Sequence, residues 1–157
     1  MPRSTLSRFT VISGGARRFH LQHDGLQDEL WSSLRQETID AYARAPMLCS
    51  LFMDSILNQP SFEAAVFHRV ASRLKNDVVG LAVFVEASHR ALAAQPSIGE
   101  TLRADIAAVV ERDPACERFL EPFLYFKGFH AIQTHRLAHW LWHNGERDLA
   151  LDRKSVV

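Results

Sequence analysis

Neither sign of charge predominates in this chain: 18 lysines and arginines stand against 18 aspartates and glutamates. A dedicated nucleic-acid binder carries a basic excess, so composition points away from nucleic acid. Only two cysteines occur, Cys49 and Cys116, far apart and without CxxC spacing or a secretory leader. Such a pair reads as reduced thiols in a cytosolic protein, and a cytoplasmic location is expected. No apolar run approaches the roughly 20 residues that span a bilayer, so no membrane segment is expected. There is no glycine-rich phosphate loop, GxSxG elbow or HExxH. Internal repeats, low-complexity blocks and convincing alternating strands are missing as well.

Acids are also missing from the first 23 residues, where Arg3, Arg8, Arg17 and Arg18 stand among Ser, Thr and the pair Gly14-Gly15. Residues 1–25 are therefore read as a flexible basic leader outside the fold. A transit peptide, a disordered tail and a start codon placed too far upstream remain open. The whole chain has the 47% hydrophobic and 23% charged composition of an ordinary soluble domain, and 157 residues argue for one core rather than two.

From Leu26 the apolar spacing is helical. Trp31, Leu34, Thr38 and Ala41 share one face. Pro46 ends that helix and suits the first turn of the next, over Met47–Leu57. Ser61 caps a third helix, with Glu63 in its first turn and Phe62, Ala65, Val66, Val70 and Leu74 inward. Val78, Leu81, Ala82, Val85, His89 and Leu92 mark a fourth. Ile98, Leu102, Ile106, Val109 and Val110 mark a fifth, the clearest amphipathic pattern. An aromatic segment, Leu124–His130, leads into a last helix stopped by Asn144-Gly145. The expected fold is all-α: a compact domain of about seven helices over residues 26–151, with short, proline-punctuated connections.

Few residues invite chemistry. Asp113 precedes Pro114 and is expected to cap a helix that starts there, with Glu117 in its first turns. A capping carboxylate keeps a second oxygen that can meet a cationic ligand group. His135, His139 and His143 form an i, i+4, i+8 stripe. Zinc binds such spacings, but no acid joins the stripe and neither cysteine is adjacent. Packing or surface roles are expected, and no metal ligand is assigned. Cys49 or Cys116 could pair with a histidine as nucleophile, but neither has a recognisable context. Trp140 and Trp142 lie on different sides of one helix, which leaves one for a second chain or a further domain.

Several phrases, taken together, resemble the amino-terminal helical domain of serine O-acetyltransferases. They are Leu30-Trp31, Pro46-Met47-Leu48 with Ser50, Asp105-Ile106 with Ala108-Val109, and Arg112-Asp113-Pro114-Ala115. The most specific is Tyr125-Phe126-Lys127-Gly128-Phe129-His130-Ala131, continuing through Gln133, His135-Arg136 and His139-Trp140-Leu141-Trp142. The resemblance implies transfer of acetyl from acetyl-CoA to the hydroxyl of L-serine, for cysteine synthesis. It implies a general-base histidine, oriented by an aspartate, on a C-terminal β-helix of hexapeptide repeats that also binds acetyl-CoA. It further implies homo-oligomers through the helical domains and, for the full-length family, O-acetylserine sulfhydrylase as a partner.

Residue by residue, only Asp113 carries over, as the aspartate that binds serine at a site where cysteine competes. No catalytic residue is assigned, and His130, His135, His139 and His143 are not placed in the base's role. Twelve residues follow Gly145, too few for one coil of three hexapeptides. The expectation is therefore a chain inactive by itself that binds no cofactor, with acetyl-CoA as co-substrate only of the full-length family. Residues 152–157, Asp-Arg-Lys-Ser-Val-Val, read as an in-frame translation of a common sequencing adapter and are expected to be foreign. The alternative is a stand-alone, non-catalytic helical module for oligomerisation or regulation.

Overall fold

The computed structural model describes residues 26–152, and every regular element among them is helical. Helix α1 (Leu26–Arg44) turns Leu30, Leu34, Thr38 and Ala41 inward and leaves Trp31 half-buried. Thr38 is fully buried because its hydroxyl donates back to the Leu34 carbonyl at 2.7 Å. Pro46 then opens a 3₁₀ turn (Pro46–Leu48), followed by α2 (Cys49–Phe52) and a widened π turn (Met53–Leu57). The single helix expected over Met47–Leu57 is thus three successive pitches. The Asn58 N–H closes the wide turn on the Met53 carbonyl at 2.9 Å.

Helix α3 (Phe62–Leu74) is the centre of the domain, packed on α4, the π turn, α5 and α7. It starts as expected, with the Ser61 hydroxyl accepting the Ala64 N–H at 3.2 Å. Phe62, Ala65, Val66, Val70 and Leu74 are all buried, together with Phe67 and Ala71. Glu63 reaches Arg103 of α5 at 2.8 Å.

Helix α4 (Leu81–Ala94) buries a face shifted from the one expected, with Leu81, Val85 and Leu92 half-buried against the core at its edge. Phe84, Ala87, Ser88 and Ala91 point inward, whereas Ala82 and His89 are exposed. Val78 precedes the helix and is 92% exposed. Small side chains let α4 lie close to α3, and Ser88 satisfies its hydroxyl on the Phe84 carbonyl at 2.6 Å.

Helix α5 (Ser97–Arg112) buries Ile98, Leu102 and Ile106 and half-buries Val109 and Val110. A Cβ on Gly99 would stand 3.2 Å from Cγ of Glu63, so a side chain there would crowd the Glu63–Arg103 pair. Then follow α6 (Leu120–Tyr125), α7 (Lys127–His143) and α8 (Arg147–Asp152). Gly145, at φ +84°, ends α7: Glu146 N–H returns to Leu141 O at 3.0 Å, and Gly145 N–H to Trp142 O at 3.4 Å.

One large core joins α1, α3, α4, α5, α6 and α7, with Phe62 and Phe123 rings 6.4 Å apart. The short α8 was not expected, and Asp152 is its last residue. The basic leader (1–25) and residues 153–157 lie outside the described residues. No described helix is long and apolar enough to cross a membrane.

Candidate functional site

Asp113 does not cap a new helix. It is the last residue held by α5, its N–H donating to the Val109 carbonyl at 2.9 Å, and its backbone then turns extended at ψ 107°. Pro114 accounts for this, because proline forces the preceding residue away from the helical region. Residues 113–119 form a loop, and α6 starts only at Leu120. Within it the Asp113 Oδ1 accepts the Ala115 N–H at 2.9 Å, and its carbonyl accepts the Cys116 N–H at 3.0 Å. The carboxylate therefore folds over its own chain as an Asx turn. Its Oδ2 accepts no hydrogen bond among the described residues, so a half-buried, anchored carboxylate keeps one oxygen free.

Two acids not singled out in the sequence hold this loop. Glu121 Oε2 accepts the Glu117 N–H at 3.0 Å, and its Oε1 accepts from Arg118 Nε at 2.9 Å. Burial pushes the Glu121 carboxyl up, but the Glu117 N–H and Arg118 outweigh it and hold the group below its ordinary range. Glu37, on α1, accepts the Leu120 N–H at 3.0 Å and fastens the start of α6 to the first helix. Glu121 in the first turn of a short helix was a legible signal. Glu37, 83 positions away, was not.

The histidines and cysteines do not gather around Asp113 as a reactive set. His135, His139 and His143 form an exposed stripe with ring centroids 6.3 and 4.2 Å apart, and Nδ1 of His143 lies 2.9 Å from the His139 carbonyl. Among the described residues no three His, Cys, Asp or Glu side chains converge to hold a metal. Cys116 is buried, its thiol 3.4 Å from the Arg118 carbonyl. Burial first, and Glu121 second, push that thiol's pKa up, the reverse of what a nucleophile needs. Trp140 packs half-buried against the core, while Trp142 is 43% exposed under the Arg147 guanidinium, 5.2 Å from the ring.

The aromatic run is fixed by polar contacts inside the core. His130 is buried with Nε2 2.6 Å from the Phe123 carbonyl, so Nε2 carries the proton and donates. Arg69 and Arg73 of α3 both donate to the adjacent Leu124 carbonyl, at 2.9 and 3.3 Å. These three bonds close the C-terminal end of α6. Farther along α7, Gln133 and Arg136 donate to the same Asp105 oxygen at 2.9 and 2.6 Å, and Arg136 also donates to Gln133. The helix that leads to Asp113 is thereby clamped to α7.

Known proteins share both this sequence and this shape. Residues 30–134 match the family described as "Serine acetyltransferase, N-terminal". The serine acetyltransferase of Haemophilus influenzae is 37% identical over 129 residues, 82% of this chain and 48% of that protein. The Brucella abortus serine acetyltransferase in complex with coenzyme A superposes with a TM-score of 0.80 at 46% identity, covering 83% of this chain and 53% of that one. The Neisseria gonorrhoeae enzyme in complex with serine gives 0.78 at 36% identity, covering 80% and 52%. The chain spans about half the length of these relatives. By its matched residues and its helical architecture, the chain belongs to the serine acetyltransferase family as an example of its N-terminal domain.

Proposed function

We propose that this chain serves acetyl transfer from acetyl-CoA to L-serine, as the helical part that binds serine and supports assembly. The observation that carries this reading is Asp113: a carboxylate anchored through Oδ1 to its own loop, with Oδ2 free to accept from an ammonium group. Such a charge-assisted contact would orient the amino acid and leave its hydroxyl for a base supplied elsewhere. Among the described residues no histidine donates to a carboxylate, so the proton-abstracting pair is assigned to the C-terminal half of the relatives. Acetyl-CoA binding is assigned there too. Contacts between helical domains of identical chains, a sulfhydrylase partner and a cytoplasmic location belong to the same proposal. Exposed Ile39, Tyr42, Met47 and Trp142 offer apolar surface for such contacts.

The test has two arms. Purified 1–157 should release no CoA from acetyl-CoA and serine. A chimera of residues 1–151 with the C-terminal half of the Brucella abortus enzyme should release it. In that chimera Asp113→Asn should raise the KM for serine about tenfold, the cost of one charge-assisted bond, and leave the KM for acetyl-CoA unchanged. An active chimera whose serine KM ignores Asp113→Asn and Asp113→Ala would remove the aspartate from the proposal. Serine-dependent turnover by 1–157 alone would remove the division of labour.

A further inference from the structure

Away from Asp113, the widened turn and α3 do not close on each other. Between them and the start of α4 lies a cleft of about 360 Å³, a volume in the range that small ligands occupy. One wall carries Asp54, Ser55 and Asn58, spaced along the π turn. The other carries His68, Arg69, Ser72 and Lys75, spaced along α3, and Leu81 closes one end. Two helices packed side by side normally present apolar faces, but these present polar ones.

The polar groups do not neutralise one another. Among the described residues neither the Asp54 carboxylate nor the Lys75 ammonium has an ion-pair partner, although both line the cleft. Of the three buried side-chain atoms without a hydrogen bond among the described residues, two belong to cleft residues: Nδ1 of His68 and Nε of Arg69. Unsatisfied groups cost free energy, and π turns concentrate at functional sites. Burial lowers the His68 pKa against the opposing pull of Asp54, so its ring is neutral at physiological pH.

We propose that this cleft binds a small anion of the carboxylate or phosphate class, held by Lys75 and Arg69 with the Asn58 amide as a neutral donor. Asp54, on the opposite wall, then accepts from a hydroxyl or amine on the same molecule and turns away polyanions by repulsion. Arg69 is already fixed in place by its bond to the Leu124 carbonyl, so little ordering accompanies binding. Lys75 is exposed and supplies the mobile arm.

The test is a ¹⁵N–¹H correlation titration of the 157-residue chain with sodium phosphate and, separately, sodium acetate, at constant ionic strength. Saturating shifts at the Asn58, Ser72 and Lys75 amides are expected with at least one probe, and which probe saturates assigns the anion class. Lys75→Gln should weaken that binding about tenfold, the effect of one lost charge-assisted bond, and Lys75→Glu should abolish it. Arg147→Gln, outside the cleft, should leave it unchanged. Shifts that stay linear and spread over all exposed basic residues would overturn the proposal. So would saturation that Lys75→Glu does not alter, or no response from the three amides to either probe.

Discussion

Mild acid should destabilise this domain through one imidazole. His130 is 5% exposed, donates from Nε2 to the Phe123 carbonyl, and has no partner on Nδ1. Burial lowers its pKa from 6.5 to about 4; the Phe123 carbonyl opposes this, and the nearby Arg73 and Arg69 guanidinium groups add to it. Above pH 6.5 the ring is neutral in both folded and unfolded chains, and its titration contributes nothing. As pH falls below 6.5 the unfolded chain takes up a proton that the folded chain refuses, so stability is lost until about pH 4. The full difference corresponds to about 3 kcal/mol, a large share of the 5–15 kcal/mol that holds a typical domain.

Urea unfolding at a series of pH values between about 7.5 and 4.5 measures this directly. Below pH 6 the native chain should lose about 1.4 kcal/mol per pH unit on account of His130. His130→Gln, which keeps a donor for the Phe123 carbonyl, should remove that part of the slope. Three other groups bracket the effect. His68 shifts in the same direction and is separated by His68→Gln. Glu121 and Glu146 have lowered pKa values, so their contribution is present above the ordinary carboxyl range and disappears only as pH falls through it. Parallel pH slopes for the native chain and His130→Gln would refute the reasoning. So would an NMR titration of the His130 ring centred near pH 6.5.

Ser61→Ala removes the cap of the central helix and should cost about 1 kcal/mol in urea unfolding, with a fall of a few degrees in Tm. Asp105→Ala strands Gln133 and Arg136 in a half-buried site and should cost about 2 kcal/mol, while Asp105→Asn should cost less because it retains an acceptor. Gly145→Ala forces a side chain into φ +84° and should cost about 1 kcal/mol, reported by faster amide exchange at Glu146 as the α7 stop loosens.

What the sequence disclosed depends on how local each determinant is. The start of α3 needed only Ser61, Glu63 and a strong apolar period, all within one turn, and its buried face follows from them. The face of α4 was read only in part: Leu81, Val85 and Leu92 do pack on the core, but its centre is Ala87, Ser88 and Ala91, which carry less hydropathy than the valines beside them and are buried by close approach to α3. Asp113 was misread for a different reason. A capping aspartate and an Asx-turn aspartate both accept an N–H a few residues ahead, and only the following residues tell them apart. Here they are held out of the helix by Glu121 and Glu37, the latter from the far end of the chain. The cleft between Asp54 and Lys75 depends on an extra residue in one turn, which spacing along the chain does not reveal.

Helix α7 is the instructive case. Its inward face carries His130, Gln133 and Thr134 among Phe129, Leu137 and Leu141, while Ile132 and Trp142 stand outside. Periodicity cannot resolve such a face, because polarity and burial run against each other. Two of those inward polar side chains have partners of fixed identity: the Phe123 carbonyl for His130, and Asp105 and Arg136 for Gln133. A helix whose buried positions are chosen by hydrogen bonding rather than by hydropathy is opaque to pattern and specific in its wording. The segment least readable as physics was therefore the one most readable as family, and the tertiary contacts explain both.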